Sequence, residues 1–235
     1  MQSAKSEFWT GAKAAVPIIL AAGPFAALFG ALAIKNGLSV FEAGLMSTIL
    51  YAGSSQMVGI ELFSADVAPW LIVFSIFAVN ARHILYSAVV GQYIKHLSFT
   101  QRYVSFFFLI DPQFALIEER HDKGIQISFA WLIGCGLTFW LPWIALTIVG
   151  ALFGSLIENP AEWGIDFLLP IYFLALVMGF RKRSNWAAIV VASGAVSILA
   201  FHFVGSPWHI TIGALAGIVL GASIGIPKDA KVASV

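Results

Sequence analysis

Long apolar segments fill most of the chain, and the connections between them are short. A transmembrane helix needs about 20 apolar residues, and most of the segments reach that length. The composition agrees, because 60% of the residues are hydrophobic and 11% are charged, whereas about 25% are charged in a soluble domain. The segments cover residues 14–34, 38–63, 67–94, 101–119, 125–157, 167–180, 185–204 and 207–226.

We therefore predict an all-α integral membrane protein, a polytopic helical bundle in a single transmembrane domain over residues 1–235. Connections without Lys or Arg should face outward. The connections 64–69 and 158–166 both lack these residues and should lie on the same side. Three segments lie between them, and three crossings would place the two connections on opposite sides, so one segment should not cross. Segment 101–119, which carries Asp111, is the best candidate not to cross. That leaves about seven spans, with broken or re-entrant helices in addition.

Several classes of function lack their usual signals. The net charge of +1 offers no basic field for nucleic acid. Cys135 is the single cysteine, so no disulfide framework or cysteine-based metal site can form within the chain. The sequence contains no HExxH motif and no phosphate-cradling loop. We therefore expect that the protein is not an enzyme and binds no cofactor or metal. Because the phosphate-cradling loop of ATP-driven proteins is missing from the sequence, any transport must draw its energy from a gradient.

Arg82 lies near the middle of segment 67–94, which contains no Asp, Glu or Lys. An Arg at the centre of a transmembrane helix costs about 2.5–3.5 kcal/mol, so a partner or a wet cavity must lower that cost. Arg82 can line a cavity and hold a carboxylate, or it can form a structural ion pair, most simply with Asp111. On a helix, Ser75, Tyr86 and Tyr93 share one face with Arg82. Asn80, His83 and Ser87 lie on the neighbouring face.

Polar and small residues also interrupt segment 38–63 at mid-membrane depth, in the run Tyr51-Ala52-Gly53-Ser54-Ser55-Gln56. In segment 14–34, Gly23-Pro24 is a predicted helix break, because proline removes a helix hydrogen bond. Breaks in neighbouring helices expose backbone N–H and C=O groups, with which many secondary transporters hold a small zwitterion. The alternative is that the small residues only allow close packing and that Pro24 only kinks its helix.

Two capping boxes predict helix starts at Val40 and Phe99, within Ser39–Glu42 and Ser98–Gln101. Asn36-Gly37 can turn the chain before the first of them. Asp111 is a candidate for proton coupling, since a buried carboxylate in a membrane can carry a proton. The ion pair with Arg82 is its competing role.

Segment 207–226 carries a glycine at every fourth position: Gly213, Gly217, Gly221 and Gly225. Glycine lowers helix propensity, so exposure to lipid does not explain this pattern. The spacing forms a continuous groove that another helix can approach closely. That helix can belong to this chain or to a second protein.

Several motifs follow one another in an order that can be compared with known families. They are Gly37-Leu38-Ser39 with Glu42-Ala43, Tyr51 to Gln56, Arg82-His83 with Tyr86, Asp111 with Phe114-Ala115, and Leu169-Pro170 ahead of the Arg181 cluster. In this order the chain resembles the AzlC family, the large permease subunit of bacterial branched-chain amino-acid exporters. The resemblance covers nearly the whole chain, and the second and third motifs are its most specific parts.

The resemblance implies export of leucine, isoleucine, valine and related apolar amino acids, with methionine a further candidate, across the bacterial cytoplasmic (inner) membrane. It also implies a small membrane partner of the AzlD type, for which the glycine groove is a candidate docking face. In the family a Glu usually follows the Asp that Asp111 matches, whereas this chain has Pro112. Coupling or substrate choice can therefore differ here.

We therefore expect a proton-coupled secondary transporter that works by alternating access. A passive channel or facilitator for small zwitterions would use the same cavity without coupling, and a non-transporting scaffold subunit is the other alternative. Asp111 or His83 would carry the proton. The expected substrate-binding residues are Gly53, Ser54, Ser55 and Arg82 for the charged groups, with Gln56, Asn80, His83 and Tyr86 for orientation.

Overall fold

The computed structural model describes residues 3–64, 68–153, 171, 174, 177–205 and 208–224, and these residues form helices without strands. The chain divides into two compact units, residues 1–176 and 177–235. The expectation of a single domain stays a prediction. The described helices are α1 (Ala4–Lys35), α2 (Val40–Ile49), α3 (Gly53–Ser64), α4 (Pro69–Asn80), α5 (Arg82–Tyr93), α6 (Phe99–Phe107), α7 (Asp111–Asp122), α8 (Phe129–Phe153), α9 (Trp186–Phe203) and α10 (Trp208–Ile224).

The prediction of an all-α membrane protein is confirmed. Within the described residues, four helical stretches are long and apolar enough to cross a membrane. The count of about seven spans stays a prediction, and most of segment 167–180 lies outside the described residues. The four stretches are Ala4–Lys35, Pro69–Tyr93, Phe129–Phe153 and Trp186–Phe203.

The helices α1 and α8 pack together through glycines on both of them. A Cβ at Gly11 would collide with the Trp131 carbonyl, and one at Gly30 would collide with the Thr147 carbonyl. Residue numbers rise in the same direction on both helices, so the pair runs parallel. In return, Gly134 lies against the Phe8 backbone and Gly150 against the Ala27 backbone. This mutual approach of two backbones makes α1 and α8 the most extensive helix contact among the described elements.

The predicted helix break at Gly23 and Pro24 is wrong. The helix α1 runs through both residues, and Pro17 also lies inside it. Each proline removes one backbone hydrogen bond, but α1 packs against α8 both before and after the two prolines, at Gly11 and Gly30. A Cβ at Gly23 would lie 2.9 Å from the Leu146 side chain, so this glycine serves close packing.

Three predicted segments are instead divided into pairs of short helices. The helices α2 and α3 are separated at residues 50–52, where Tyr51 has a φ of 42°. The helices α6 and α7 are separated at residues 108–110, and Ile110 is extended. The expectation of broken helices is confirmed at these two places. The break at Ala81, between α4 and α5, was not expected, because segment 67–94 reads as one continuous apolar stretch.

Both predicted capping boxes are present, at Ser39 and at Ser98. The Ser39 backbone N–H donates to a Glu42 carboxylate oxygen at 2.7 Å, and the Glu42 N–H donates to the Ser39 hydroxyl at 3.2 Å. Hydrogen bonds from the Ser39 backbone and hydroxyl hold the pKa of Glu42 below its ordinary value. Gly37 turns the chain ahead of this cap with a φ of 88°.

In the second unit, the glycine face of α10 packs against α9. A Cβ at Gly213 would lie 2.6 Å from the Ser197 Cβ, and one at Gly221 would lie 3.3 Å from Ile189. The Ser193 hydroxyl donates to the Gly213 carbonyl at 2.7 Å. The groove therefore holds a helix of this chain over Gly213, Gly217 and Gly221, whereas Gly225 lies outside the described residues.

Candidate functional site

Three helix N-termini bring the principal polar residues together in the first unit. Ser54 lies in the first turn of α3, while Arg82 and Asp111 are the first residues of α5 and α7. The Arg82 Nη2 donates to the Ser54 hydroxyl at 2.6 Å and lies 3.1 Å from Asp111 Oδ2. The ion pair predicted from the sequence is present, and one guanidinium joins all three helix breaks.

Both carboxylate oxygens of Asp111 have a partner on α5. The Tyr86 hydroxyl donates to Oδ1 at 2.7 Å, while Arg82 approaches Oδ2. The Tyr86 ring stacks on Phe114, with centroids 4.4 Å apart, which fixes the direction of its hydroxyl. The Asp111 side chain keeps 16% of its surface exposed, so its two partners do not enclose it.

A cavity that opens to its surroundings lies beside this ion pair. The continuous helices α1 and α8 supply mainly apolar side chains to its wall, and the breaks before α3 and α7 supply the remainder. Ser54 and Asp111 line it, whereas Arg82 does not. The lining residues are Ile19, Ala22, Phe25, Tyr51, Ala52, Gly53, Ser54, Ile110, Asp111, Pro112, Phe139 and Trp143.

The beginning of α3 presents its backbone to the cavity. The first bond of the α3 ladder runs from the Gln56 N–H to the Ala52 carbonyl at 2.9 Å. The N–H groups of Gly53, Ser54 and Ser55 therefore have no acceptor in that ladder. A Cβ at Gly53 would lie 2.8 Å from Trp143 and 3.0 Å from Phe25, so only glycine leaves the backbone accessible there.

Gln56 is bound on both ends of its amide and is fully buried. Its Nε2 donates to the Ser47 hydroxyl at 2.8 Å, and the Trp143 Nε1 donates to its Oε1 at 3.1 Å. Ser47 also bonds Thr147 at 2.8 Å. The structure thus places Gln56 in a polar chain that joins α2, α3 and α8, away from the cavity lining.

The other predicted orienting residues connect α3 to the break at Ala81. The Ser55 hydroxyl is buried and donates to Asn80 Oδ1 at 2.6 Å. His83 Nδ1 lies 3.2 Å from the Asn80 carbonyl. These side chains surround Arg82 without lining the cavity, so their contacts fix the arrangement of the helix ends.

Sequence reasoning missed the polar chain and a second buried ion pair. Arg120 bonds Glu7 at 2.6 Å, and both side chains are largely buried. Its guanidinium also lies 4.9 Å from the centre of the Trp131 ring. Local sequence gives no signal for a pair whose members are 113 positions apart. Thr147 and Trp143 likewise lie in an apolar run that looks like lipid-facing helix.

Broken helices, a partly buried ion pair and a cavity beside it are typical of a polytopic membrane protein of the transporter class. The family model of the AzlC protein matches residues 17–157. The chain belongs to the AzlC family. The family and the apolar helices support a transport role in the cytoplasmic membrane.

Curated relatives cover most of the chain. It is 30% identical over 220 residues to the inner membrane protein YgaZ of Escherichia coli strain K12, covering 91% of this chain and 87% of that protein. It is 32% identical over 221 residues to an uncharacterized membrane protein of Archaeoglobus fulgidus, covering 93% and 95%. It is 25% identical over 199 residues to the branched-chain amino acid transport protein AzlC of Bacillus subtilis strain 168, covering 79% and 74%. No solved structure matches the chain.

Proposed function

We propose that this protein is a proton-coupled secondary transporter that exports branched-chain amino acids. The observation that carries the proposal is the Arg82–Asp111 ion pair, which lies where three broken helices meet beside a mainly apolar cavity. A partly buried ion pair is weak evidence for stability, since desolvation offsets much of the attraction. Its place beside a cavity favours a role in transport.

The chemistry of the cavity suits an apolar amino acid. Such a substrate has two charged groups on one carbon and an aliphatic side chain. Ile19, Phe25 and Phe139 offer the aliphatic part a dry surface. The charged groups find Asp111 and the free amides at the start of α3 in the same lining. The name of the Bacillus subtilis relative supports the same class of substrate.

Energy would come from the proton gradient, with Asp111 and His83 as the candidate carriers. Both lie at the meeting of the helix ends, where a change of charge alters the contacts of Arg82. Entry of a proton would then be exchanged for exit of an amino acid. Replacement of Asp111 by Asn should remove the pH dependence of leucine efflux if Asp111 is the carrier, while unchanged pH dependence would leave His83 as the candidate.

A small AzlD-type membrane subunit is the proposed partner. The glycine groove is not its docking face over Gly213, Gly217 and Gly221, because α9 occupies that surface. The partner must therefore contact another face of the protein.

Reconstitution into liposomes tests the function directly. The chain is incorporated with and without the small subunit, and movement of labelled leucine and methionine is followed under an imposed pH gradient. We expect the paired preparation to accumulate leucine against its own gradient. Flux that only dissipates a leucine gradient would instead identify a passive facilitator, and absence of any flux would favour a scaffold subunit.

A further inference from the structure

We propose that Asp111 binds the ammonium group of the transported amino acid and that Arg82 is a positioning residue. This inference rests on the proposed function, and it names the part of the substrate that the charged pair recognises. It reverses the expectation from the sequence, in which Arg82 holds the substrate carboxylate.

The lining of the cavity separates the two members of the ion pair. Asp111 lines the cavity together with Gly53 and Ser54, whereas Arg82 is not part of the lining. Arg82 is held between the Ser54 hydroxyl and Asp111. Among the described residues that line the cavity, Asp111 is thus the one that carries a charge at neutral pH, and an anion recognises the cationic end of a zwitterion.

The hydrogen-bonding capacity of Asp111 leaves room for a ligand. An ionised carboxylate offers about four acceptor positions. Tyr86 uses one on Oδ1, and the Arg82 guanidinium lies beside Oδ2 as an ion pair. An ammonium group has three donors and no acceptor, so it can bond to Asp111 without displacing either partner. Pro112 follows Asp111 and brings no N–H of its own to compete.

The direct partners of Asp111 come from one helix, α5. Arg82, His83 and Tyr86 all belong to α5, and Ser54 reaches the site from α3 through Arg82. Arg82 and Tyr86 hold the two carboxylate oxygens in place, and neither residue is part of the cavity lining. A substrate ammonium would complete the set from the cavity side.

Analogues of leucine distinguish the two assignments in the wild-type protein. Exchange of labelled leucine is measured in liposomes that contain the full chain and its small subunit, with equal pH on both sides so that coupling plays no part. The competitors are 3-methylbutylamine, which lacks the carboxylate, and 4-methylpentanoate, which lacks the ammonium group. We expect the amine to inhibit at a concentration at least tenfold lower than the acid does. Stronger inhibition by 4-methylpentanoate would overturn the ammonium site.

Variants at Asp111 provide the second test. Asp111→Asn should raise the KM for leucine exchange at least tenfold without weakening inhibition by 4-methylpentanoate, and Asp111→Glu should recover part of the loss. Glu119→Gln, which removes an exposed carboxylate on the same helix, is the matched control and should leave KM unchanged. Melting temperatures in detergent report on folding, and if Asp111→Asn does not fold, the wild-type analogue ranking decides.

The possible failures are distinguishable. Wild-type protein that exchanges no leucine would overturn the proposed function and the ammonium site with it. Wild-type protein that exchanges leucine, together with folded Asp111→Asn whose KM is unchanged, would overturn the ammonium site alone.

Discussion

Arg82 stands where a helix is least favourable to a cation. It follows Ala81, which keeps right-handed helical dihedral angles, and it lies inside an apolar helical stretch, Pro69–Tyr93, where a cation is costly. Asp111, by contrast, occupies the first position of α7, where an anion is stabilised. The acidic partner therefore gains from its own helix, whereas the basic one depends on Asp111 and on the Ser54 hydroxyl.

We predict that Arg82 and Asp111 are energetically coupled. In a double-mutant cycle with Arg82→Gln and Asp111→Asn, the double variant should lose less stability than the sum of the single variants, by about 1 kcal/mol. This figure is modest because the side chains are 26% and 16% exposed. Unfolding in detergent measures it.

The control cycle uses Glu119→Gln and Lys123→Gln, an exposed pair on the surface of α7. Its coupling should be at most about 0.5 kcal/mol. Strict additivity at Arg82 and Asp111 would show that their proximity contributes nothing to folding.

At the scale of elements, close backbone contact distinguishes α1 and α8 from the broken pairs. Glycines on each helix face backbone atoms of the other, near both ends of the contact. Hydrocarbon lipid gives little hydrophobic drive for helices to associate, so van der Waals packing of this kind supplies the stability.

We predict that Gly30→Val strongly destabilises the first unit. Its side chain would enter the space of the Thr147 carbonyl and the Ala151 backbone, so the two helices must separate. Overpacking of this kind costs about 1–3 kcal/mol or more. Gly194→Ala in α9 is the matched control, because a Cβ there meets no atom within 4 Å. Equal melting temperatures for the two variants would contradict the packing role.

The cap of α2 should confer a pH-dependent stability. The pKa of Glu42 is lowered in the folded protein, so its stabilising effect is present above the ordinary pKa of the carboxyl group. It is lost as the pH falls through the lowered value. Glu42→Ala should therefore reduce the melting temperature at neutral pH, and the difference from wild type should vanish in acid. A difference that is constant with pH would exclude this capping role.

The sequence predicts some of these elements well and others not at all. The break before Gly53 is visible because six small or polar residues interrupt an apolar run, and the caps are visible because their partners are three positions apart. The break at Ala81 is not visible, since Asn80, Ala81 and Arg82 can all be accommodated in a helix. Proline at position 24 suggested a break that tertiary packing prevents.

For the candidate site, the sequence identifies the charged pair, Arg82 and Asp111, but not which of the two lines the cavity. Arg82 and Asp111 stand out because charges are rare in apolar segments. Which of them faces the cavity depends on how three helix ends meet, and no local pattern encodes that. The burial of Gln56 likewise depends on Ser47 and Trp143, which lie 9 and 87 positions away.

At the scale of the whole molecule, access to one buried thiol can be used to follow the unfolding of the first unit. Cys135 is the single cysteine of the chain and is fully buried on α8, where its backbone also faces Gly11. A reagent can reach it only if the core around this part of α8 opens.

We predict that a maleimide leaves Cys135 unmodified in the folded protein. In detergent with increasing denaturant, labelling should begin at the same concentration as the loss of helical signal. A Glu119→Cys variant, with a thiol on an exposed part of α7, should label at once and serves as the control. Prompt labelling of the wild-type protein would show that the core around Cys135 opens under native conditions.

The continuous helices α1 and α8 and the short, broken helices should differ in how easily they move. Bending α1 against α8 would pull two backbones apart along their whole contact. The short helices meet at residues 50–52, 81 and 108–110, where the ladder of backbone hydrogen bonds is already interrupted. Rotation at these joints breaks few backbone hydrogen bonds. We therefore expect the short helices to move relative to α1 and α8, which stay together, so that the cavity opens first to one side of the membrane and then to the other.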